Sequence, residues 1–423
     1  MAKPSTMNVI LIFSLSFMIM PSEFVIQSEG LSDYGTALTK SLLYFKAQRS
    51  GKLPPNQRVQ WRGDSGLQDG GDAGINLTGG YYDAGDNVKF GFPMAFTISM
   101  LSWSVLEFRY KLQEKNELLN ALDAIQWSTD YQVKAHPKPN LLYGEVGDGD
   151  SDHACWQRPE DMTTPRIAYK SDEQHPGADL AGETAAAFAV YDFASLRRGQ
   201  YQNSIPGAQK FYSSSGYKDG LRWAAAWLYR ATGERQYLLA LVKINTGGVW
   251  TQLSWDDKFV GAQILVAKKQ AEQFICDGNL QYTSTAAFVS AVYAKYIEKS
   301  QEKVSCPRQS GRALRIDHAG YILGANPNNI SYTVAYGSRY PTHVHHRGAS
   351  IVLIKNGSAP VPCSQGYGLW LNRDAPDLNV LHGAIVGGPD RHDGYVDART
   401  NYQQAEPTTT NTAPLVGLLA SLA

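Results

Sequence analysis

Apolar residues recur at the spacing of helical turns along almost the whole chain, and no other feature restricts its fold as tightly. The stretch LSDYGTALTKSLLYFKAQRSGKLP reads as an amphipathic helix stopped by Gly51 and Pro54. The same period returns in FTISMLSWSVLEFRYKL and ELLNALDAIQWSTDYQVKA, then over 180–197, 218–232, 235–245, 257–274, 284–300, 312–324 and 413–422. Strand-like alternation is confined to short pieces such as SYTVAY and SIVLI. No Pro/Ser-rich linker interrupts the series and no short repeat is evident, so the 423 residues predict one all-α domain of paired helices. The long loops between them, rich in Gly, Pro, Asp and Trp, are expected to gather at one end and to carry function.

Before the first helix, Lys3 precedes an apolar run over 7–20 that is short for a membrane span and has the layout of a secretory signal peptide. Residues 1–30 are therefore expected to be a leader and 31–423 the functional domain, soluble and extracellular once the leader is cleaved. Three sequons, at Asn76, Asn329 and Asn356, suit that compartment. Cys155, Cys276, Cys306 and Cys363 are widely spaced with no Cys-x-x-Cys, which argues against zinc and leaves disulfide pairing open. Lys+Arg and Asp+Glu both number 39, so charge gives no reason to expect a nucleic acid or an acidic membrane as partner. The 9 Trp and 24 Tyr suit sugar rings as well as a protein core.

Four loop clusters contain the residues that can do chemistry. In GGYYDAGDNVKFGFP, Asp83 and Asp86 sit close together among glycines and aromatic residues. Neighbouring carboxylates drive their pKa values apart, which leaves one ionised as a base. An Asx-turn, or a calcium site completed by Asp64, Asp69 and Asp72, explains the same spacing. In GGPDRHDGYVDARTNYQQAEPTTTNTAPL, Glu406 precedes Pro407 and three threonines, with Asp397 and Arg399 upstream. A carboxyl in so neutral a setting can stay protonated as a general acid, or can simply flank a helix N-terminus. RYPTHVHHRG holds His343, His345, His346 and Arg347, suited to a polyol or to loop packing, with no carboxylate or cysteine at metal-ligand spacing nearby. HACWQRPEDMTTPR places Trp156 as a stacking platform or a buried anchor. Together the clusters supply two carboxylate loops ringed by Trp, His and Arg, which is the inventory of glycoside hydrolysis.

These residues resemble the plant secreted endo-β-1,4-glucanases of glycoside hydrolase family 9. The likeness is carried by DYGTALTKSLLYFKAQRSGKLPPNQRVQWRGDSGLQDG, GGYYDAGDNVKFGFPMAFTISMLSWSVLEF, CWQRPEDMTTPR, HPGADLAGETAAA, YPTHVHHRGAS and VGGPDRHDGYVDARTNYQQAEPTT. It implies an (α/α)6 barrel of six inner and six outer helices, open at one end as a cleft. It implies inverting hydrolysis of internal β-1,4-glucosidic bonds, with no cofactor and no metal. On the matching positions Asp86 is the general base, Asp83 helps it hold the attacking water, and Glu406 is the general acid. His345 and Asp397 fall on the family's two signatures and join the expected catalytic set. Trp156, His346, Arg347, Arg399, Tyr402 and Trp255 are the expected substrate contacts, a β-1,4-glucan is the expected partner, and the protein is expected to be a monomer.

The chain departs from the family pattern in two places. After AVYDFASLRR a further helix is expected before YSSSGYKDGL, and after ILVAKKQAEQFIC a glycine-rich stretch is expected before LQYTSTAAF. About ten helix candidates stand where the fold has twelve. The barrel is thus expected to be incomplete, and the alternative to an active glucanase is a non-catalytic, glucan-binding relic. A metal-dependent hydrolase built on the aspartate loop and the histidines ranks third.

Overall fold

The computed structural model describes residues 32–187, 191–244, 252–266, 280–300 and 311–423. The expected leader, Cys276 and Cys306, and the end of the 257–274 helix lie outside them. Asp33–Ala423 form one compact unit. The first helix, α1 (Tyr34–Ala47), is capped by Asp33, whose carboxylate accepts from the backbone N–H of Thr36 at 2.9 Å. Next come α2 (Gly91–Glu114), α3 (Leu118–Ala135), α4 (Ala178–Ala187), α5 (Tyr191–Leu196), α6 (Lys218–Thr232) and α7 (Arg235–Lys243). The series ends with α8 (Phe259–Val266), α9 (Leu280–Ser300), α10 (Gly311–Leu323) and α11 (Thr409–Leu422).

Six of these helices close a ring: α2 packs on α4, α4 on α6, α6 on α8, α8 on α9, α9 on α11, and α11 back on α2. The sequence supports that placement, because α11 buries all but its last two residues and α2 buries every residue from Gly91 to Leu101. Outside the ring, α3 covers α2, α5 covers α4, α7 covers α6 and α10 covers α9, while α1 lies against α11. The outer position between α8 and α9 falls outside the described residues. The chain's first helix is therefore the outer partner of its last inner helix. The helices expected from periodicity all appear. The 180–197 stretch carries α4 and α5, and the described part of the 257–274 stretch is α8.

Aromatic rings fill the ring's axis. Trp103 of α2 packs against Trp223 at 5.5 Å and edge-on to Phe288 at 5.3 Å. Beside them Glu183 of α4 accepts from Trp223 Nε1 at 3.1 Å and pairs with Lys258 at 3.3 Å, both fully buried. Removing one member of such a pair typically costs about 3–5 kcal/mol, because the other charge stays in the dry interior.

The strands do not lie where alternation suggested. A three-stranded antiparallel sheet joins β1 (Lys89–Phe90), β2 (Leu142–Val146) and β3 (Ala168–Ser171) at the loop end of the ring. SYTVAY contributes one isolated bridge, Thr333 to Ile385, and SIVLI begins as the end of a helical turn, Arg347–Ser350. Burial of these segments beneath loops satisfies their apolar residues without a ladder. Among the described residues no helix is long and apolar enough to cross a membrane.

Candidate active site

The loop end of the ring holds a cleft of about 630 Å³ whose lining includes Asp83, Asp86, Glu406, Trp156, His345 and Trp255. The two carboxylate loops meet here for a simple backbone reason. Glu406 precedes Pro407, and a residue before proline is driven out of the helical region. It sits extended at φ −84°, ψ 125°, after the turn Tyr402–Ala405 and before the Thr408 cap of α11. Its side chain therefore projects into the cleft, where Oε1 accepts from the backbone N–H of Gly85 at 3.0 Å. Gly85 must lack a side chain, because a Cβ there would lie 2.0 Å from the carbonyl oxygen of His345. One backbone hydrogen bond thus ties the expected acid to the residue between the two aspartates.

Asp83 and Asp86 are both buried, and each is held differently. Asp86 Oδ1 accepts from the Val88 N–H at 2.8 Å, and its Oδ2 lies 3.9 Å from His153 Nε2. Asp83 accepts a short hydrogen bond from the Tyr212 hydroxyl on Oδ2, while its Oδ1 has no partner. Burial raises the pKa of both carboxyls. For Asp83 the charge of Asp86 adds to burial, so its pKa rises well above the ordinary range. For Asp86, His153 and Arg347 oppose burial, so its carboxylate is the more readily ionised of the two. Burial, with the charge of Asp86 adding to it, pushes Glu406 up to about 8 and leaves it protonated at neutral pH.

The histidines and arginines divide sharply by position. His345 lines the cleft, and burial lowers its pKa to about 4, which keeps it neutral. Its Nδ1 lies 2.7 Å from the Arg399 carbonyl, which can only accept, so Nε2 is left as an acceptor. Trp156 reaches the lining edge-on to His345 at 4.8 Å, with Nε1 donating to Ser350. Tyr402 is exposed at the rim, and Trp255 stands edge-on to Tyr212 at 4.9 Å. Arg347 touches the cleft, but its guanidinium donates to the carbonyls of Gly85, Cys155 and Asp152, each at 3.0 Å. It is a strap beneath the aspartate loop.

His346 is buried away from the cleft, bonded to Gln48 at 2.7 Å and capping a turn through the Ala349 N–H. Arg399 is likewise outside the lining, with its donors taken by Asp377 and by carbonyls over 370–375. Asp397 accepts from the N–H groups of Thr342 and His343 and holds that loop from behind. His343, His345 and His346 thus face three different places. Asp69 faces Lys89 at 2.7 Å and Arg166 at 2.8 Å, well satisfied as an ion pair, while Asp64 and Asp72 accept from Leu53 and Ala168. The five aspartates therefore do not converge on one ion.

Sequence reasoning passed over Tyr212, Phe211 and His153. Phe211 stacks on His153 at 4.3 Å, and Tyr367 donates to the His153 carbonyl. His153 stood in a quoted loop; Phe211 and Tyr212 stand in QKFYSSS, whose spacing carries no chemical pattern. Cys155 and Cys363 form a disulfide that fastens the Tyr367 turn to the Trp156 loop. Their separation of 208 residues hid the pairing from the sequence.

A ring of helical hairpins with paired acids in a loop-lined cleft defines a class of polysaccharide-cleaving barrels, and the comparisons agree. The profile of Glycosyl hydrolase family 9 matches residues 34–191, 189–277 and 274–419, and the chain belongs to that family. It is a glycoside hydrolase with an (α/α)6 barrel. Arabidopsis thaliana Endoglucanase 13 is 52% identical over 456 aligned positions, covering 92% of this chain and 93% of that one. The endoglucanase of the termite Nasutitermes takasagoensis superposes with a TM-score of 0.82 at 38% identity, over 92% of this chain and 98% of that chain. The cellulase Cel9M of C. cellulolyticum in complex with cellobiose gives 0.75 at 30% identity, over 93% and 98%.

The matches also locate the family segments this chain lacks. The profile breaks at 189–191 and at 274–277, and the 456-position alignment is longer than the 423-residue chain. The second break lies at the expected join. The first lies ahead of the expected one, inside AVY rather than after AVYDFASLRR.

Proposed function

We propose that the chain is a secreted endo-β-1,4-glucanase that cleaves internal bonds of cellulose and related cell-wall glucans with inversion. The observation that carries this reading is the meeting of Glu406 with the Asp83/Asp86 loop across the Gly85 N–H in one cleft. Glu406, protonated at neutral pH, gives its proton to the departing glycosidic oxygen. Asp86 takes a proton from a water that attacks the anomeric carbon from the opposite face, and Asp83 helps to hold that water. Inversion needs room for the water, so the two working carboxyls stand ~6.5–9.5 Å apart. Neutral His345 offers Nε2 to a sugar hydroxyl, while Trp255 and Tyr402 present aromatic faces to the chain of sugars. The leader at 1–30 and the exposed sequons at Asn76, Asn329 and Asn356 support export, with 31–423 working as a monomeric catalytic domain.

The test is release of reducing ends from a soluble cellulose derivative, with the anomer of the first product read by NMR. Asp86→Asn and Glu406→Gln each lower kcat about a thousandfold. The α-anomer appears first, and kcat/KM falls as pH rises through about 8 because Glu406 then loses its proton. A folded wild type no faster than these variants, binding cello-oligosaccharides without turnover, overturns the reading in favour of a relic. A β-anomer as first product overturns inversion alone.

A further inference from the structure

Tyr44 lies on α1, fully buried, with its hydroxyl bonded to nothing. Four residues later on the same face, Gln48 donates to the carbonyl of Ala84 at 2.7 Å and of Tyr82 at 3.2 Å. That face of α1 therefore looks directly at the aspartate loop. The loop is also held from the adjoining side, where the N–H of Thr409 at the start of α11 donates to the Asp83 carbonyl at 3.3 Å. In the same buried layer Asp83 Oδ1 is unpaired too. A buried hydroxyl and a buried carboxylate oxygen left open are both costly, and each is the partner the other lacks.

We propose that Tyr44 is a positioning residue for the aspartate pair, its hydroxyl donating to the free oxygen of Asp83 so that this carboxylate works between two phenols. The bond closes when the Asp83 carboxyl turns toward Tyr44, with Tyr212 keeping the other oxygen. Two phenols then stabilise a charge that no lysine or arginine meets, and they hold the plane of the carboxylate toward Asp86. The inference rests on Asp83 assisting Asp86 in the proposed reaction. The groups facing Asp83 are Asp86, Glu406, Tyr212 and Tyr201, and those facing Asp86 are His153, Asp152, Arg347, Glu145, Glu406 and Tyr212. Tyr44 itself faces all three carboxyls, Asp83 most strongly.

The experiment compares Tyr44→Phe with wild type, alone and in an Asp83→Asn background. Phenylalanine keeps the ring and its packing, so the variant folds. The expected result is a fall of about tenfold in kcat with KM unchanged, the size of one hydrogen bond to a charged group. The acidic limb of the pH profile moves up by about one unit, because the ionised aspartates lose a donor. In the Asp83→Asn background Tyr44→Phe has no further effect. A wild-type profile, or an equal loss in both backgrounds, overturns the proposal. If the wild type turns over no glucan, the proposed function has failed, and thermal stability then decides this point alone. Tyr44→Phe lowers Tm more at pH 7 than at pH 4.5 only while Asp83 is present; equal effects at both pH values overturn it.

Discussion

Behind Asp83, Asp86 and Glu406 stand α2 and α11, helices of 24 and 14 residues that pack on each other, with α1 against α11. Tyr212 and Trp255, which also line the cleft, stand on the α5–α6 and α7–α8 connections, in a sector built from α4, α5, α6, α7 and α8. Both places where the family profile breaks fall in this second sector. The acids are thus supported by the seam between the first and last helices of the ring, and the lost family segments leave that seam intact. On the proposed reading the acids keep their support, while the sector from α4 to α8, where the profile breaks, bears the loss.

Three measurements bear on that contrast. The largest effect is expected at Gly85, where alanine would set a Cβ 2.0 Å from a backbone oxygen and 3.1 Å from Glu406 Oε1. Gly85→Ala should lower kcat about a hundredfold, since displacement of a catalytic loop by an ångström has that cost. Gly216→Ala, between α5 and α6 with open space around it, should leave activity and Tm unchanged. Similar losses in the two variants would erase the distinction. Next, amide exchange should run about a hundredfold slower in α2 and α11 than in α4 and α8, because local opening follows packing. Equal protection would show that the sector where the profile breaks is no weaker.

The smallest effect concerns Glu145 on β2, whose carboxyl faces Gly207. Its Oε2 is buried without a partner, and burial, helped by Asp148 and Asp86, pushes its pKa up to about 8. A carboxyl whose folded pKa is raised destabilises the fold once pH climbs above the unfolded value near 4.5. Glu145→Gln should therefore stabilise by about 2 kcal/mol at pH 7 and by nothing at pH 4. Calorimetry at the two pH values checks it, and a pH-independent change would place the cost in packing instead of charge.

Much of this was legible in the sequence, for reasons that can be named. Helical period located the ring helices because each must present an apolar face, and Pro407 marked Glu406 because no helix surface tolerates that neighbour. Arg347, Arg399 and His346 were expected to meet substrate, yet their polar atoms are largely taken by backbone carbonyls and by Asp377 or Gln48. A strap and a sugar contact use the same residue types beside the same glycines, and only burial tells them apart. Tyr212 was invisible for the opposite reason. Its role depends on a hydroxyl meeting Asp83 across 129 positions of chain, and no local pattern records such a meeting.

The bond between Gly85 and Glu406 spans 321 positions of sequence. A ribosome working at ~5–20 residues per second lays down the aspartate pair roughly 16–64 s before it reaches the acid. During that interval the growing chain holds the aspartate loop without Glu406 and without the helix that closes the ring. On the proposed mechanism synthesis order acts as a safeguard: the segment that seals the barrel brings Glu406 with it, so the cleft gains its acid only as the ring closes.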